Sequence, residues 1–344
     1  MIITGDDKYA LINTQLSSIY DSWPEHFSRA LSLGVAVKRP ANYYESIILC
    51  GMGGSGTSCD IINELLSNHG KIPSTVVKGG TLPSSVNKYT LALTFSASGN
   101  TEETVLMAKQ AHFNGADVVC ISSGGELKEF ADMSGITNIN IPNLLLPRAA
   151  LPYMLMPGVC IVKDFLDPNV AEKISGVSLM LSEIRDKIST TVPYEDNSAK
   201  RLATFLSDGF VFCFTSPYLK SIGTRFKNSL NENAKLHCTV ESVLEACHNE
   251  IVPFTYLGEH DPKKVLLVRW AYDSEITGAR FDKLCHFFSE IGQPFYEFEI
   301  EQESILSAII NGTYFLDFVS IYLAIIRKID PSPTPAIDIL KRLE

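Results

Sequence analysis

The chain has 344 residues, of which 45% are hydrophobic and 20% charged, and this composition predicts a globular protein of about two domains. Its formal net charge is −10 and it contains no basic block, so we expect no nucleic-acid partner. The eight cysteines include no C-x-x-C pair, which argues against a zinc site or a redox dithiol and predicts reduced, mostly buried thiols in a cytoplasmic protein.

The first third of the sequence predicts a parallel sheet. Residues 1–45 are predicted to be a helical lead-in, and their first ten lack the cationic and apolar regions of a secretory signal. Two segments, 55–70 and 100–115, have helical patterns that end at a glycine. The apolar runs around them predict strands buried on both faces of the sheet, at 46–50, 74–78, 91–96 and 116–122.

The same order of elements begins again after a proline-rich connection at 142–157 and a helical stretch at 170–190. Further strands are predicted at 209–215, 264–270 and 293–300, with helices at 218–234 and 274–292. This repetition predicts two similar α/β domains, at 46–165 and 166–344.

Two apolar runs raise the question of a membrane span. The run at 314–326 is short and contains Asp317, which predicts a buried helix. The run at 141–162 contains four prolines and Arg148, which makes it a poor transmembrane helix. We therefore expect no membrane partner.

A glycine-rich segment, CGMGGSG, follows the first predicted strand. Gly51, Gly53 and Gly56 match the G-x-G-x-x-G pattern of nicotinamide and flavin sites. That interpretation requires an acidic residue at the end of the next strand, where this sequence has Lys78. A P-loop requires a lysine after the last glycine, where this sequence has Thr57. A dinucleotide is therefore disfavoured and a P-loop is excluded.

A second loop, SASGNTEET, follows the third predicted strand. Ser96, Ser98 and Thr101 offer hydroxyl groups beside a helix start, a combination that forms compact anion sites. The alternative is a capped helix, with Asn100 as N-cap and Glu103 in the capping-box position. We call CGMGGSG the glycine loop and SASGNTEET the serine loop. Both are predicted at the same edge of the sheet, which suits a small molecule that carries one phosphate.

Five segments in this order and spacing carry a family resemblance: GMGGSG, SASGNTEET, PRAALPY, RFKNSLNENAK and EACHNEIV. From about residue 45 to the C-terminus, the chain resembles the bifunctional phosphoglucose/phosphomannose isomerases of the SIS (sugar isomerase) fold. The resemblance implies two SIS-type domains, each a mainly parallel sheet flanked by helices in a three-layer αβα, flavodoxin-like arrangement. This sequence departs from the family at Ala97, where an aromatic residue is common, and in a somewhat longer chain.

The resemblance implies a role for several side chains. Glu232 matches the base that transfers a proton between C1 and C2, and His248 matches the residue of ring opening, which the family takes from the partner subunit of a homodimer. Arg148 matches the arginine that stabilises the enediolate, and Lys341 matches a lysine near the C-terminus. Thr334 corresponds to a small hydroxyl-bearing residue to which the family's acceptance of the C2 epimer of the substrate is attributed.

These roles suit the chemistry of aldose-ketose isomerisation, which requires an acid/base for ring opening, a base and a positive charge near the enediolate. The implied substrates are fructose 6-phosphate, glucose 6-phosphate and mannose 6-phosphate, with no metal and no cofactor. We expect the sugar phosphate nearest to Gly54 and Ser55. From spacing alone, Glu232 is instead a helix surface carboxylate paired with Lys235.

Two other functions remain open at this point. A non-catalytic, regulatory SIS protein would need the phosphate loops but not Glu232, Arg148 and His248 together. A nicotinamide-dependent oxidoreductase is supported only by the three glycines of CGMGGSG.

Overall fold

The structure is a computed structural model, and it describes residues 15–34, 37–144, 146–256 and 262–343. The side chains at positions 15, 171–173, 338 and 341 lie outside this description, as do residues 1–14 of the predicted lead-in. The strands are β1 Ser46–Gly51, β2 Ser74–Val77, β3 Thr90–Ser96, β4 Asp117–Ser122, β5 Thr137–Asn140, β6 Phe210–Thr215, β7 Cys238–Ser242, β8 Lys263–Trp270 and β9 Phe295–Ile300. The helices are α1 Gln15–Asp21, α2 Trp23–Leu31, α3 Gly53–His69, α4 Glu102–Phe113, α5 Gly125–Ser134, α6 Leu151–Val162, α7 Pro168–Glu172, α8 Val177–Ile188, α9 Ser198–Leu206, α10 Lys220–Ser229, α11 Val243–Ala246, α12 Glu275–Glu290, α13 Ile305–Ile326 and α14 Pro335–Leu343.

The described residues divide into two compact units. The N-terminal unit comprises 22–179 and 304–307, and the C-terminal unit comprises the rest of the described residues. Each unit contains one sheet, and every neighbouring strand pair in both sheets is parallel. The predicted α/β fold with mainly parallel sheets flanked by helices is thus confirmed.

The N-terminal sheet has the strand order β2-β1-β3-β4-β5. This flavodoxin-like order reverses its direction between β1 and β3, and ligands of such sheets bind beyond the carboxyl ends of the strands at this switch point. β1 ends at Gly51 and β3 ends at Ser96. The topology therefore brings the glycine loop and the serine loop to the switch point.

Helices cover both faces of this sheet, because successive side chains of a strand point to opposite sides. Ile48 and Cys50 of β1 pack in one core with Val105 of α4. On the other face, a Cβ atom at Gly158 of α6 would lie 3.0 Å from the ring of Phe95. Glycine at that position lets α6 approach the sheet closely.

The C-terminal sheet has the order β7-β6-β8-β9, which repeats the order of the first four strands of the N-terminal sheet. Phe214 of β6 packs on one face with Phe281 and Phe288 of α12. On the other face, Gly223 of α10 approaches Thr215, whose Cγ2 atom would lie 2.6 Å from an added Cβ. The predicted repeat of strand and helix order is confirmed.

The sequence prediction missed β5 and β7. Both are edge strands, and a strand at the edge of a sheet needs fewer apolar residues than a central one. Their sequences, TNIN and CTVES, are short and mostly polar, so they lack the apolar run that marked the central strands.

The apolar run at 314–326 lies in α13, a helix of 22 residues that is long and apolar enough to cross a membrane by those criteria alone. However, 94% of its most apolar window is buried inside the protein. Asp317 in this helix is fully buried and forms an ion pair with Arg225 at 2.8 Å. The prediction of a buried helix is confirmed.

All eight cysteines are free thiols, five of them buried and three half-buried. Burial raises the pKa of Cys50 and of Cys238 to about 12, and that of Cys120 to about 11. The prediction that the thiols are mostly buried is confirmed.

Candidate functional site

The glycine loop forms the start of α3. The N-cap residue, Met52, provides no side-chain hydrogen bond to this helix, and Gly53 adopts a left-handed backbone with φ of +52°. The first N–H groups of a helix have no acceptor within the helix, and together with the helix dipole they favour a bound anion. Gly54 is half-buried and Ser55 is buried in this first turn.

The other two glycines of the literal G-x-G-x-x-G match serve close packing. A Cβ atom at Gly56 would lie 2.9 Å from the carbonyl oxygen of Gly51. At the end of β2, the ammonium group of Lys78 forms an ion pair with Asp60 at 2.6 Å. A dinucleotide site has an acidic residue at this position, which binds the ribose hydroxyls. Here the position is occupied by a lysine in an ion pair, which argues against a nicotinamide cofactor.

The serine loop is organised by its own hydroxyl groups. Ser96 is fully buried, and its Oγ accepts a hydrogen bond from the Gly99 N–H at 3.0 Å and bonds to Oγ1 of Thr101 at 2.9 Å. Oγ of Ser98 accepts from the Asn100 N–H at 3.2 Å. Ser96 therefore shapes the turn, whereas Ser98 is exposed and Thr101 half-buried at the carboxyl edge of the sheet.

The capped-helix alternative for this loop is wrong. The N-cap of α4 is Thr101, and its side chain makes no capping hydrogen bond. The side chain of Asn100 is engaged elsewhere, because its Oδ1 accepts from the Glu126 N–H at 3.1 Å. α4 therefore begins, like α3, without a side-chain cap.

Direct contacts join the two loops to each other and to the loop after β4. Oγ of Ser55 accepts a hydrogen bond from the Ala97 N–H at 3.2 Å. Gly99 has a left-handed backbone, and an added Cβ would lie only 1.7 Å from the carbonyl oxygen of Gly124. Only glycine allows this approach, which fixes the serine loop against its neighbour.

Arg148 belongs to the same constellation. It lies in a 3₁₀ turn, Pro147–Ala150, and is 4% exposed. A Cβ atom at Gly54 would lie 3.2 Å from Cα of Arg148, so the two backbones are in close contact. Nε1 of Trp23 donates to the Ala149 carbonyl at 3.2 Å and anchors the turn. The N-terminal unit thus brings the backbone of Arg148 next to the start of α3, one of two helices in this unit that begin without a side-chain cap.

In the C-terminal unit, Glu232 lies in a π-helical turn, Leu230–Ala234, that continues α10. Such turns are rare in proteins overall, and those that occur are often found at functional sites. Glu232 is half-buried, and the turn ends at Lys235, whose backbone is left-handed with φ of 55°. The Lys235 ammonium group donates to the carbonyls of Glu232 and Pro333, the latter at 2.9 Å. Lys235 thus connects the Glu232 turn to the segment that precedes Thr334.

Thr334 lies immediately before α14 and is half-buried. Its carbonyl oxygen accepts from the Ile337 N–H at 3.0 Å in the first turn of that helix. The backbone of Lys341 lies in α14, but its side chain lies outside the described residues.

His248 is exposed and follows α11, whereas Glu232 precedes β7. α11 begins directly after the carboxyl end of β7, so the two residues lie beyond opposite ends of this strand. A strand of five residues is about 16 Å long. The fold therefore separates Glu232 and His248 of the same chain.

The switch point of the C-terminal sheet, between β6 and β8, differs from that of the N-terminal sheet. Oγ of Ser216 accepts from the Tyr218 N–H at 3.2 Å, and Oγ of Ser274 accepts from the Thr277 N–H at 3.3 Å. The Asp273 carboxylate accepts a hydrogen bond from Ser216 and one from the Trp270 N–H. Three backbone N–H groups at this edge are therefore bonded to side chains of the protein, although α10 itself begins without a side-chain cap.

Among the described residues, no group of three or more His, Cys, Asp or Glu side chains is arranged to hold a metal ion.

The sequence did not predict the bond of Lys235 to the Pro333 carbonyl or that of Asn100 to the Glu126 N–H, because the partners lie far away in the chain or in another loop. The unusual left-handed lysine left no signal in the sequence, since lysine has no preference for that backbone.

Comparison with known proteins agrees with this architecture. A family model described as "SIS domain" matches residues 44–147, and one described as "Bacterial phospho-glucose isomerase C-terminal SIS domain" matches residues 195–343. The chain is 32% identical over 334 residues to the bifunctional phosphoglucose/phosphomannose isomerase of Caldicellulosiruptor bescii, covering 94% of this chain and 97% of that protein. The chain belongs to the bifunctional phosphoglucose/phosphomannose isomerase family.

Other comparisons are consistent with membership in this family. The bifunctional phosphoglucose/phosphomannose isomerase of Thermoplasma acidophilum is 33% identical over 300 residues, covering 87% of this chain and 89% of that protein. The crystal structure of a hypothetical protein from Thermus thermophilus has the same fold, with a TM-score of 0.75 and 16% identity over 98% of this chain and 92% of that one. The resemblance inferred from the five sequence segments is confirmed, and the chain is a sugar-phosphate isomerase.

Proposed function

We propose that this protein interconverts fructose 6-phosphate with glucose 6-phosphate and mannose 6-phosphate through a cis-enediolate, without a metal or another cofactor. The observation that carries the proposal is the contact of the Arg148 turn with Gly54, at the point where two uncapped helices begin. An anion site beside a permanent cation suits a phosphorylated substrate whose reaction develops negative charge.

In this proposal, the substrate phosphate binds the N-terminal unit through Gly54, Ser55, Ser98 and Thr101. The N–H groups at the start of α3 and the rim hydroxyls of the serine loop support this assignment. Buried Ser96 contributes by holding Thr101 and the Gly99 N–H in place. Ala97 contributes through its backbone, whose N–H donates to Oγ of Ser55.

Glu232 is the proposed base for transfer of the proton between C1 and C2. A carboxylate suits this task because its ordinary pKa lies within tuning range of neutral pH. Arg148 is the proposed stabiliser of the enediolate, since its guanidinium is charged at every relevant pH. The rare π-helical turn at Glu232 supports its role, because such turns occur frequently at functional sites.

His248 is proposed to act in ring opening in the active site of a partner subunit, within a homodimer. The separation of His248 from Glu232 by the length of β7 supports donation across a dimer. Thr334 is proposed to admit the C2 epimer of the substrate. Lys341, near the C-terminus, is proposed to enter the active site, as in the family pattern. The bond from Lys235 to the Pro333 carbonyl supports Thr334, since it links that loop to the Glu232 turn.

We further propose that the enzyme works in the cytoplasm. Eight free thiols support this location, because oxidising compartments convert such cysteines to disulfides.

The test is conversion of fructose 6-phosphate in the presence of EDTA, with glucose 6-phosphate and mannose 6-phosphate quantified separately. Wild type is expected to form both products, and Glu232→Gln to lose at least about a hundredfold in kcat, the usual contribution of a general base. The matched control is Glu299→Gln, which removes the same charge from an exposed position on β9 of the same unit and is expected to leave turnover unchanged.

Three outcomes would contradict the proposal. Near wild-type turnover of folded Glu232→Gln would show that the base is another residue. Tight binding of the sugar phosphate without any product would favour the non-catalytic regulatory protein. A thermal shift with NAD(P) and none with fructose 6-phosphate would restore the oxidoreductase.

A further inference from the structure

A buried polar network lies next to the Glu232 turn. Arg225 of α10 and Asp317 of α13 are fully buried and form an ion pair, in which both Nε and Nη2 of Arg225 donate to the carboxylate. Oγ of Ser229 donates to Oδ1 of the same carboxylate at 2.5 Å. Arg225 also donates to the Tyr20 hydroxyl at 3.0 Å. The last turn of α10 is thus fixed to α13 immediately before the π-helical turn begins.

A second connection lies on the other side of Glu232. Nδ2 of the buried Asn233 donates to Oγ of Ser320 at 2.8 Å. Ser320 in turn donates to the backbone carbonyl of Asp317 at 2.6 Å. The residue that follows Glu232 is therefore bonded to the same turn of α13 that receives Ser229 and Arg225.

The carboxylate of Glu232 is close enough to this network to interact with it. Burial lowers the pKa of the Arg225 guanidinium, but attraction to Asp317 and, to a smaller extent, to Glu232 outweighs burial and raises it. Arg225 therefore remains charged, with the Asp317 carboxylate as its bonded counter-ion.

We propose that Asp317 and Ser320 of α13 are positioning residues for Glu232, which they hold through the flanking residues Ser229 and Asn233. This inference rests on the proposed function, in which Glu232 is the base. The π-helical turn interrupts the regular α-helical hydrogen bonding, and the bonds of Ser229 and Asn233 to α13 hold it on both sides of Glu232. Misplacement of a catalytic group by about 1 Å costs about a hundredfold in rate.

Ser320→Ala is the decisive variant. It removes the acceptor of the Asn233 amide, and we expect kcat for fructose 6-phosphate to fall at least about tenfold, with KM nearly unchanged, because substrate binding does not use Ser320. Ser320→Thr retains the hydroxyl and is expected to restore kcat. Thr313→Val is the matched control, since Thr313 is buried in the same helix and its hydroxyl has no hydrogen-bond partner among the described residues.

The double variant Asn233→Ala/Ser320→Ala covers the case in which Ser320→Ala does not fold. It removes both side chains of this hydrogen bond, so neither of the two is left facing an apolar replacement of the other. We expect it to fold and to show the same loss of kcat.

The outcomes separate the inference from the proposed function. Wild type that does not isomerise fructose 6-phosphate overturns the proposed function, and the inference with it. Active wild type with unchanged kcat in folded Ser320→Ala, or in the double variant, overturns only the positioning role. A lower melting temperature with unchanged kcat would likewise assign Ser320 a purely structural role.

Discussion

The backbone of Arg148 rests on Gly54. An added Cβ at Gly54 would lie 3.2 Å from Cα of Arg148 and 3.3 Å from the carbonyl oxygen of Pro147. These distances are tighter than ordinary van der Waals contact, so a side chain at this position pushes the arginine turn away from the start of α3. The glycine thereby lets the backbone of the arginine turn lie against the first turn of a helix whose N–H groups favour an anion.

We expect Gly54→Val to lower kcat/KM for fructose 6-phosphate by at least about tenfold, because displacement of a positioned group is costly in rate. Gly79→Val is the control, since an added Cβ there meets no atom within 4 Å and its backbone is not left-handed. Steady-state kinetics of both variants give the comparison. Equal kcat/KM in the two would show that the contact has no functional role.

Gly99→Ala tests the packing of the serine loop. The new methyl group meets the Gly124 carbonyl, and the backbone has φ of +74°. Gly135→Ala has the same backbone problem, with φ of +64°, but no atom within 4 Å, so it measures the cost of the backbone alone, which is about 1–2 kcal/mol. We expect Gly99→Ala to lose clearly more free energy of unfolding in urea than Gly135→Ala, and also to lose the thermal shift given by inorganic phosphate.

If Gly99→Ala were no less stable than Gly135→Ala, the close approach of the two loops would not exist in solution. Retention of the phosphate shift in a destabilised Gly99→Ala would separate loop packing from anion binding.

Some of this structure was predictable from local patterns and some was not. The central strands, such as β1 and β3, are continuous apolar runs, because both faces of a parallel sheet are buried. The edge strands β5 and β7 were missed because their own residues do not form an apolar run. They are strands because they pair with β4 and β6 in the folded protein. Element boundaries differ by one or two residues, for example at β9, which begins at Phe295 instead of Gln293.

In the candidate site, too, some features follow from local residue patterns and others depend on distant partners. Glycines and hydroxyls in two loops marked the anion site, since those residue types suffice for it. Asn100 matched a local capping pattern, but its side chain bonds to a residue 26 positions later. The contacts of Arg225 and Asn233 with α13 span about 90 residues, and no spacing rule reports on such distances.

Mixing of two inactive variants tests the proposed exchange of His248. If each site combines Glu232 of one subunit with His248 of the other, a mixed dimer of Glu232→Gln and His248→Ala contains one intact site and one doubly altered site. We expect refolding or coexpression of the two variants to restore isomerase activity. Each variant alone, taken through the same procedure, is the control.

A mixture as inactive as its components, with mixed dimers demonstrated by two different tags, would mean that both residues act from the same chain. Exclusively monomeric protein at assay concentration would also contradict the exchange.

The buried pair of Arg225 and Asp317 is expected to be sensitive to the loss of one partner. Asp317→Ala leaves a buried guanidinium without its counter-ion, which costs about 3–5 kcal/mol of the free energy of unfolding. The double change Arg225→Met/Asp317→Leu removes both charges and is expected to cost less. Lys109→Ala, which breaks an exposed pair with Glu126, is the control and is expected to cost about 1 kcal/mol or less.

Urea unfolding of the four proteins measures these differences. A double variant less stable than Asp317→Ala would show that packing around the pair, and not its charge, dominates.

Buried thiols predict a loss of stability at alkaline pH. The pKa of Cys50 and Cys238 is raised to about 12 in the folded protein, against 9.0 for an ordinary thiol. Between these values the unfolded chain loses the thiol proton and the folded protein keeps it, so the free energy of unfolding falls as pH rises, by about 1.4 kcal/mol per pH unit for each such thiol. Below pH 9.0 this contribution is fully retained.

The free energy of unfolding, measured in urea from neutral pH upward, checks this sign. Cys50→Ala is expected to be less stable than wild type at neutral pH but to show a shallower alkaline decline. An identical slope in the variant would mean that Cys50 is as accessible to solvent as a thiol in the unfolded chain.

The contrast between the two switch points has a consequence for stoichiometry. The first four strands of the N-terminal sheet and the four strands of the C-terminal sheet share one order, as expected of a duplicated ancestral unit, but in the second copy Ser216, Asp273 and Ser274 accept hydrogen bonds from three backbone N–H groups. A carboxylate, Asp273, lies at that edge and disfavours an anion there, whereas the first copy has no carboxylate in the first turn of α3. We therefore expect the chain to bind one equivalent of inorganic phosphate, in its N-terminal unit, and the proposed role of Glu232 would then belong to a framework that no longer binds phosphate.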